Sequence, residues 1–166
     1  VLTVLKSVSG HALAKIFSGT ALTQQPFSIG SQFNVTEEPV SDLHSLSALL
    51  KRLEADHTHT VIRGSLTEGQ SSTVRRNKEI FISTPCQWCK IDIDIDIDSF
   101  AWNEDIIDQQ AMLSYDTKPL PVEFQSVDFC YHFSSSMGIK AGINVHLWFW
   151  LDRPCSDNEM KAWLSG

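Results

Sequence analysis

The sequence predicts an α+β fold, a mostly antiparallel sheet with helices packed on one face. Three observations carry this expectation. Two segments alternate with period two, "KIDIDIDIDSF" (90–100) and "INVHLWFWL" (143–151). A Gly/Ser stretch, "SSSMGIKAG" (134–142), joins "VDFCYHF" to the second of them, as in an antiparallel hairpin. Two segments carry helix signals, "SDLHSLSALLKRLEAD" and "SDNEMKAWL".

Taken in order, "LTVLK" (2–6) reads as a short strand, and a weak strand is expected near Phe27 to Val35. Ser41 or Asp42 caps the first helix, whose apolar stripe is Leu43, Leu46, Leu49, Leu50 and Leu53. "HTVIRG" (59–64) and "EIFIS" (79–83) read as strands, with a polar, mobile loop at 65–78 between them. The aspartate strand follows, and then a short helix at "NEDIIDQQAML" capped by Asn103. The last helix has Ser156 as N-cap with Glu159 three residues on, a capping-box pattern.

A chain of 166 residues suits one domain, 1–166, with an N-terminal part at 1–85 and a second part at 86–166. Val rather than Met stands first, which fits a trimmed fragment. At 42% hydrophobic and 20% charged residues, the composition is that of a globular chain rather than a disordered one. The sequence shows no secretory signal pattern and no apolar run of spanning length. With four cysteines, this suggests reduced thiols and a cytoplasmic location. Net charge is −7, against a purely electrostatic nucleic-acid binder. The charge is uneven: residues 1–90 hold nine Lys/Arg and seven Asp/Glu, whereas residues 91–166 hold four and thirteen.

The aspartate row lies in the acidic half. In a strand, Ile91, Ile93, Ile95 and Ile97 face one way and Asp92, Asp94, Asp96 and Asp98 the other. Same-face neighbours lie roughly 6.7 Å apart. Two unit charges at that distance repel by about 2.5 kcal/mol at an effective dielectric of 20, and by about 0.6 kcal/mol in water. Such a row is costly unless solvated, partly protonated or neutralised by a cation, and carboxylate oxygens suit hard ions such as Mg²⁺ and Mn²⁺. A solvated edge strand guarded against aggregation is the plain alternative. In the hairpin strand, Asn144, His146, Trp148 and Trp150 share a face opposite Val145, Leu147, Phe149 and Leu151. With the aliphatic faces under helices, the carboxylates and the imidazole are expected on the opposite, open face.

"DIDID" on a strand, followed by "SSSMGIKAGINVHLWFWLDRP", resembles the archaeo-eukaryotic primase superfamily, and most closely the primase-polymerase domains of plasmid, phage and integrative-element replication proteins. The resemblance is firmest over 90–154. It implies an RRM-like catalytic core, metal-dependent nucleotidyl transfer with Mg²⁺ or Mn²⁺, nucleoside triphosphates as substrates, a DNA template, and often a helicase partner. The D-h-D pair is Asp92/Asp94, Asp94/Asp96 or Asp96/Asp98. Asp96 and Asp98, at the strand's end, are favoured as catalytic carboxylates, with Asp94 completing the metal set. The resemblance makes His146 the histidine that meets the incoming nucleotide's phosphates. Asn144 stands where the family carries a serine, which moves attention to Ser134, Ser135 and Ser136. Lys140 adds charge for phosphate. Asp152 follows His146 too soon to be the family's third acid, which is expected beyond Gly166. Arg75, Arg76 and Lys78 are the bases expected at a template backbone, or else a solvated loop.

Three other readings stand beside this one. Cys86, Cys89, Cys130 and His132 include one C-x-x-C and are either zinc ligands or small buried strand residues. His57 and His59 suggest a rolling-circle replication nuclease, although Thr58 rather than an apolar residue separates them. A catalytically incomplete nucleic-acid- or nucleotide-binding module is the non-enzyme alternative.

Overall fold

The computed structural model describes residues 1–18, 23–24, 32–75, 78–95, 117–118, 120–137, 139 and 142–165, without the side chains of residues 78 and 95. The fold is α+β, and every strand pairing with a described register is antiparallel. The chain divides into two compact units. One holds residues 1–87 and 152–156, the other residues 88–151 and 157–166.

In the first unit a four-stranded sheet has the order β5-β1-β4-β7, formed by β1 (Leu2–Ser7), β4 (Phe33–Glu38), β5 (His59–Ile62) and β7 (Thr73–Val74). Two short ribbons accompany it: β2 (Phe17–Ser18) with β3 (Thr23–Gln24), and β6 (Ser65–Leu66) with β8 (Phe81–Ile82). β1 is central and buried on both faces, as its apolar run requires. Leu5 joins Phe33, Val35 and Val74 in a buried cluster, with Leu13, Ile62, Leu66, Ile80 and Phe81 packed against it. Of the weak strand expected near Phe27 to Val35, residues 27–31 lie outside the described residues, and Phe33 to Val35 belong to β4, which runs on to Glu38. Its register against β1, from Ser7↔Phe33 to Leu2↔Glu38, carries it through polar Thr36, Glu37 and Glu38.

Helix α1 (Leu43–Glu54) begins where the sequence placed it. The Asp42 carboxylate accepts from the Ser45 amide at 2.7 Å, and the Ser45 hydroxyl accepts from the Asp42 amide at 3.1 Å. Leu46 and Leu49 are buried and the rest of the stripe is half-buried.

The segment 65–78, expected as one polar loop, contains β6 and β7. Val74 is the reason for β7: it pairs with Phe33 and its isopropyl group is buried in the cluster. "EIFIS" is likewise shorter than expected, a 3-10 turn at Lys78–Ile80 followed by β8. Gly64 precedes this ribbon with φ +133°, and a Cβ there would lie 2.6 Å from the Ile82 carbonyl oxygen. The Gly64 carbonyl accepts a buried bond from the Thr3 hydroxyl at 2.5 Å, which locks the approach to β1.

The second unit is built on a three-stranded sheet of order β10-β11-β9. Its strands are β9 (Cys86–Ile95), β10 (Phe129–Phe133) and β11 (Ile143–Cys155), the first and last of which also contribute residues to the first unit. β10 and β11 form the expected hairpin, with His132↔His146 and Tyr131↔Leu147 among its pairs. Two helices accompany the sheet: a four-residue α2 (Val122–Gln125), too short to show a period in sequence, and α3 (Asp157–Ser165), directly after Ser156. Phe124 of α2 packs on Phe149 at 4.9 Å and on Trp163 of α3 at 4.7 Å, and Phe129 meets Phe149 at 5.4 Å. Phe124 and Met160 are buried there. Helix packing therefore falls on the Phe149 side of β11, where Val145 and Leu147 are also buried, as the alternation argument requires. The helix expected at 103–113 lies outside the described residues. Among the described residues, no helix is long and apolar enough to cross a membrane.

Candidate nucleotide site

β9 shows why the Ile-Asp alternation matters. Ile91 and Ile93 are buried, while Asp92 and Asp94 are exposed. The aspartate face also carries Trp88 and Lys90, by the same period of two. On β11 the matching face carries His146 and Trp148, and on β10 it carries His132 and Cys130, their cross-strand partners. The strands bring these together: His146 Nε2 is 3.4 Å from Asp92 Oδ1, and Trp88 and Trp148 have ring centroids 5.6 Å apart.

The face is graded rather than uniformly open. Trp88 and Trp148 are 3% and 2% exposed, so its indole end is shut. The expectation that this whole face is open therefore fails at Trp148. A buried indole needs a partner for its N–H, and here it donates to His132 Nδ1 at 3.1 Å. His132 Nε2 lies 2.6 Å from His146 Nδ1, with the rings edge to face. Lys90 Nζ lies 2.9 Å from Asp92 Oδ1. A continuous line thus runs from buried Trp148 through His132 and His146 to the exposed carboxylates.

Burial, then the neighbouring His146 and Lys90, pushes the His132 imidazole down to about 4. Burial first, and Lys90 second, holds His146 below its ordinary value, while Asp92 and Asp94 pull it back up. The pair is neutral near pH 7, and a neutral imidazole donates through one nitrogen only.

Asp92 is engaged by Lys90 and His146. Asp94 is exposed and has no hydrogen-bond or ion-pair partner among the described residues. Asp96 and Asp98 lie outside the described residues, as do Lys140 and Arg76. The oxygen-only chemistry of the row suits a hard divalent cation. Among the described residues, no three His, Cys, Asp or Glu side chains form a metal-holding group. Cys86, Cys89, Cys130 and His132 form no such group either, and His132 is hydrogen-bonded with Trp148 and His146.

Ser136 is buried. Its hydroxyl lies 2.7 Å from that of Ser134, and its amide donates to Ser134 Oγ at 3.2 Å, so the loop's serines stabilise their own turn. Asn144 is half-buried beside that turn: its carbonyl accepts from the Ser134 amide at 2.9 Å and its amide donates to Met137 Sδ at 3.3 Å. Asp152 is exposed and belongs to the first unit, whereas His146 belongs to the second. Arg75 is exposed. His59 is held by Asp56 at 3.2 Å, while His57 is exposed.

Sequence reasoning weighed His132 only as a zinc ligand and gave Trp148 no role. The available signal was position: in the hairpin, residues 132 and 146 pair directly, which puts two imidazoles side by side.

In an alignment of 146 positions that covers 82% of the chain, it is 27% identical to a protein of Escherichia phage T5 named "Putative replication origin binding protein". The matched stretch is 15% of that protein. No family model matches the chain, and no solved structure matches it.

Proposed function

We propose that this chain belongs to a DNA replication protein and that its second unit handles nucleoside triphosphates for nucleotidyl transfer, as a primase-polymerase domain does. The observation that carries the reading is the meeting of His146 with the aspartate row: Nε2 lies 3.4 Å from Asp92, on the face away from the helices. The similarity to a phage protein named for a replication origin supports the biological setting.

In this reading Asp94, Asp96 and Asp98 hold Mg²⁺ or Mn²⁺. The metal supplies charge neutralisation at the triphosphate and activation of the attacking 3′ hydroxyl. The chain's own groups do the rest. His146 donates from Nε2 to a phosphate oxygen. Lys90 neutralises Asp92, which leaves the metal to the later aspartates of the row. Lys140 and Asn144 add polar contacts to the phosphates. Arg75, Arg76 and Lys78 offer charge to a DNA template. The engagement of Asp92 favours Asp94/Asp96 or Asp96/Asp98 as the D-h-D pair over Asp92/Asp94.

Calorimetric titration tests this reading. Wild type binds a nucleoside triphosphate in Mn²⁺ far more tightly than the monophosphate. His146→Ala loses most of that preference, by about tenfold, the scale of one hydrogen bond to a charged group. Equal affinity for the two nucleotides in wild type sinks the proposal.

A second reading, a DNA-binding module without catalysis, is favoured by the relative's name. It expects tight duplex binding without metal and no response to triphosphate.

A further inference from the structure

We propose that His132 and Trp148 are positioning residues that fix the tautomer of His146, so that its N–H points from Nε2 toward the aspartate row. That this N–H meets a triphosphate rests on the reading above; the tautomer itself does not.

The deduction follows from donor and acceptor inventories. An indole nitrogen carries a hydrogen and no lone pair for acceptance, so the 3.1 Å contact makes His132 Nδ1 the acceptor. A neutral imidazole has one N–H, so the His132 hydrogen is on Nε2. That nitrogen faces His146 Nδ1 at 2.6 Å, which makes His132 the donor and His146 Nδ1 the acceptor. The reverse direction would leave His132 accepting at both nitrogens, which only an imidazolate does. The single hydrogen of neutral His146 therefore sits on Nε2, the nitrogen that faces Asp92 at 3.4 Å. Burial keeps both rings neutral, and Trp148 at 2% exposure gives the line a fixed origin that solvent cannot replace.

The arrangement matters because a free histidine interconverts between two tautomers, and one of them would offer the outer face a lone pair instead of a donor. A lone pair repels both the carboxylate row and phosphate oxygens. Fixing the hydrogen on Nε2 removes that state before any ligand arrives. This is how the hydrogen bond at one ring nitrogen sets the function of the other in metal and catalytic sites. Polarisation along Trp148, His132 and His146 strengthens the terminal donor.

The test is ¹H–¹⁵N correlation of the imidazole nitrogens in ¹⁵N-histidine-labelled protein at pH 7.5, without nucleotide or metal. Wild type is expected to show both His132 and His146 as Nε2–H tautomers. His132→Phe removes the donor to Nδ1, and the minor tautomer of His146 is expected to rise several-fold. His132→Gln, whose amide can donate to the same nitrogen, is expected to restore the wild-type pattern. Trp148→Phe frees His132 Nδ1 and shifts His132 first, which keeps the test open should His132→Phe fold poorly. A His146 Nδ1–H tautomer in wild type, or a His146 tautomer unmoved by His132→Phe, overturns the proposal. The same samples separate the two claims. Wild type in the Nε2–H state that ignores triphosphate keeps the positioning role and removes the nucleotide reading. Triphosphate binding with a tautomer indifferent to His132 does the reverse.

Discussion

At the scale of single residues, burial of two imidazoles has a thermodynamic consequence. His132 is held near 4 in the folded chain against an ordinary 6.5. Between those values the unfolded chain binds a proton that the folded chain refuses, so stability rises with pH across that window. The contribution is complete above about pH 6.5 and is lost progressively as pH falls toward 4. With allowance for partial exposure it is on the order of 2 kcal/mol. Denaturant unfolding at pH 4.5 and 7.5 measures it, and His132→Phe is expected to flatten the difference. Asp42 and Asp56, held low first by their hydrogen bonds with Ser45 and Thr58, lose their contributions only as pH falls below about 4, which keeps the windows apart. Lys90 offers a second check. It lowers the His146 pKa, so Lys90→Ala is expected to raise it, read as an upward shift in the His146 NMR titration midpoint.

At the scale of elements, the cap and the close approach carry the clearest expectations. Asp42→Ala removes the acceptor for the Ser45 amide and is expected to cost about 1 kcal/mol by chemical denaturation. Gly64→Ala forces a Cβ to within 2.6 Å of a backbone oxygen at a φ that side chains avoid, and is expected to cost about 1–3 kcal/mol or more. What was legible in the sequence follows the range of the forces involved. The Ile-Asp alternation gave the buried and exposed faces of β9 because a two-residue period is local. The Asp42 cap and the β10–β11 hairpin are local too. The extents of β4 and β7 were not legible, because pairing with β1 and burial of Val74 beside Phe33 are long-range. The role of His132 was hidden for the same reason: its partners are 14 and 16 positions away, and only the hairpin register joins them.

At the scale of the whole chain, charge and topology converge on one unit. The excess of acid falls in residues 91–166, and of the acids described there the second unit sets Asp92 beside His146, with exposed Asp94 two residues on. The RRM-like core implied by the primase resemblance would need the β9, β10 and β11 sheet to present a metal and a triphosphate on its aspartate face. Paramagnetic NMR with Mn²⁺ and a nucleoside triphosphate tests this most directly. Mn²⁺ is expected to broaden the resonances of Asp94 and His146 first, and Asp94→Asn/Asp96→Asn/Asp98→Asn to abolish that broadening while the rest of the spectrum holds. Broadening centred on other residues, or unchanged in the triple variant, would contradict it.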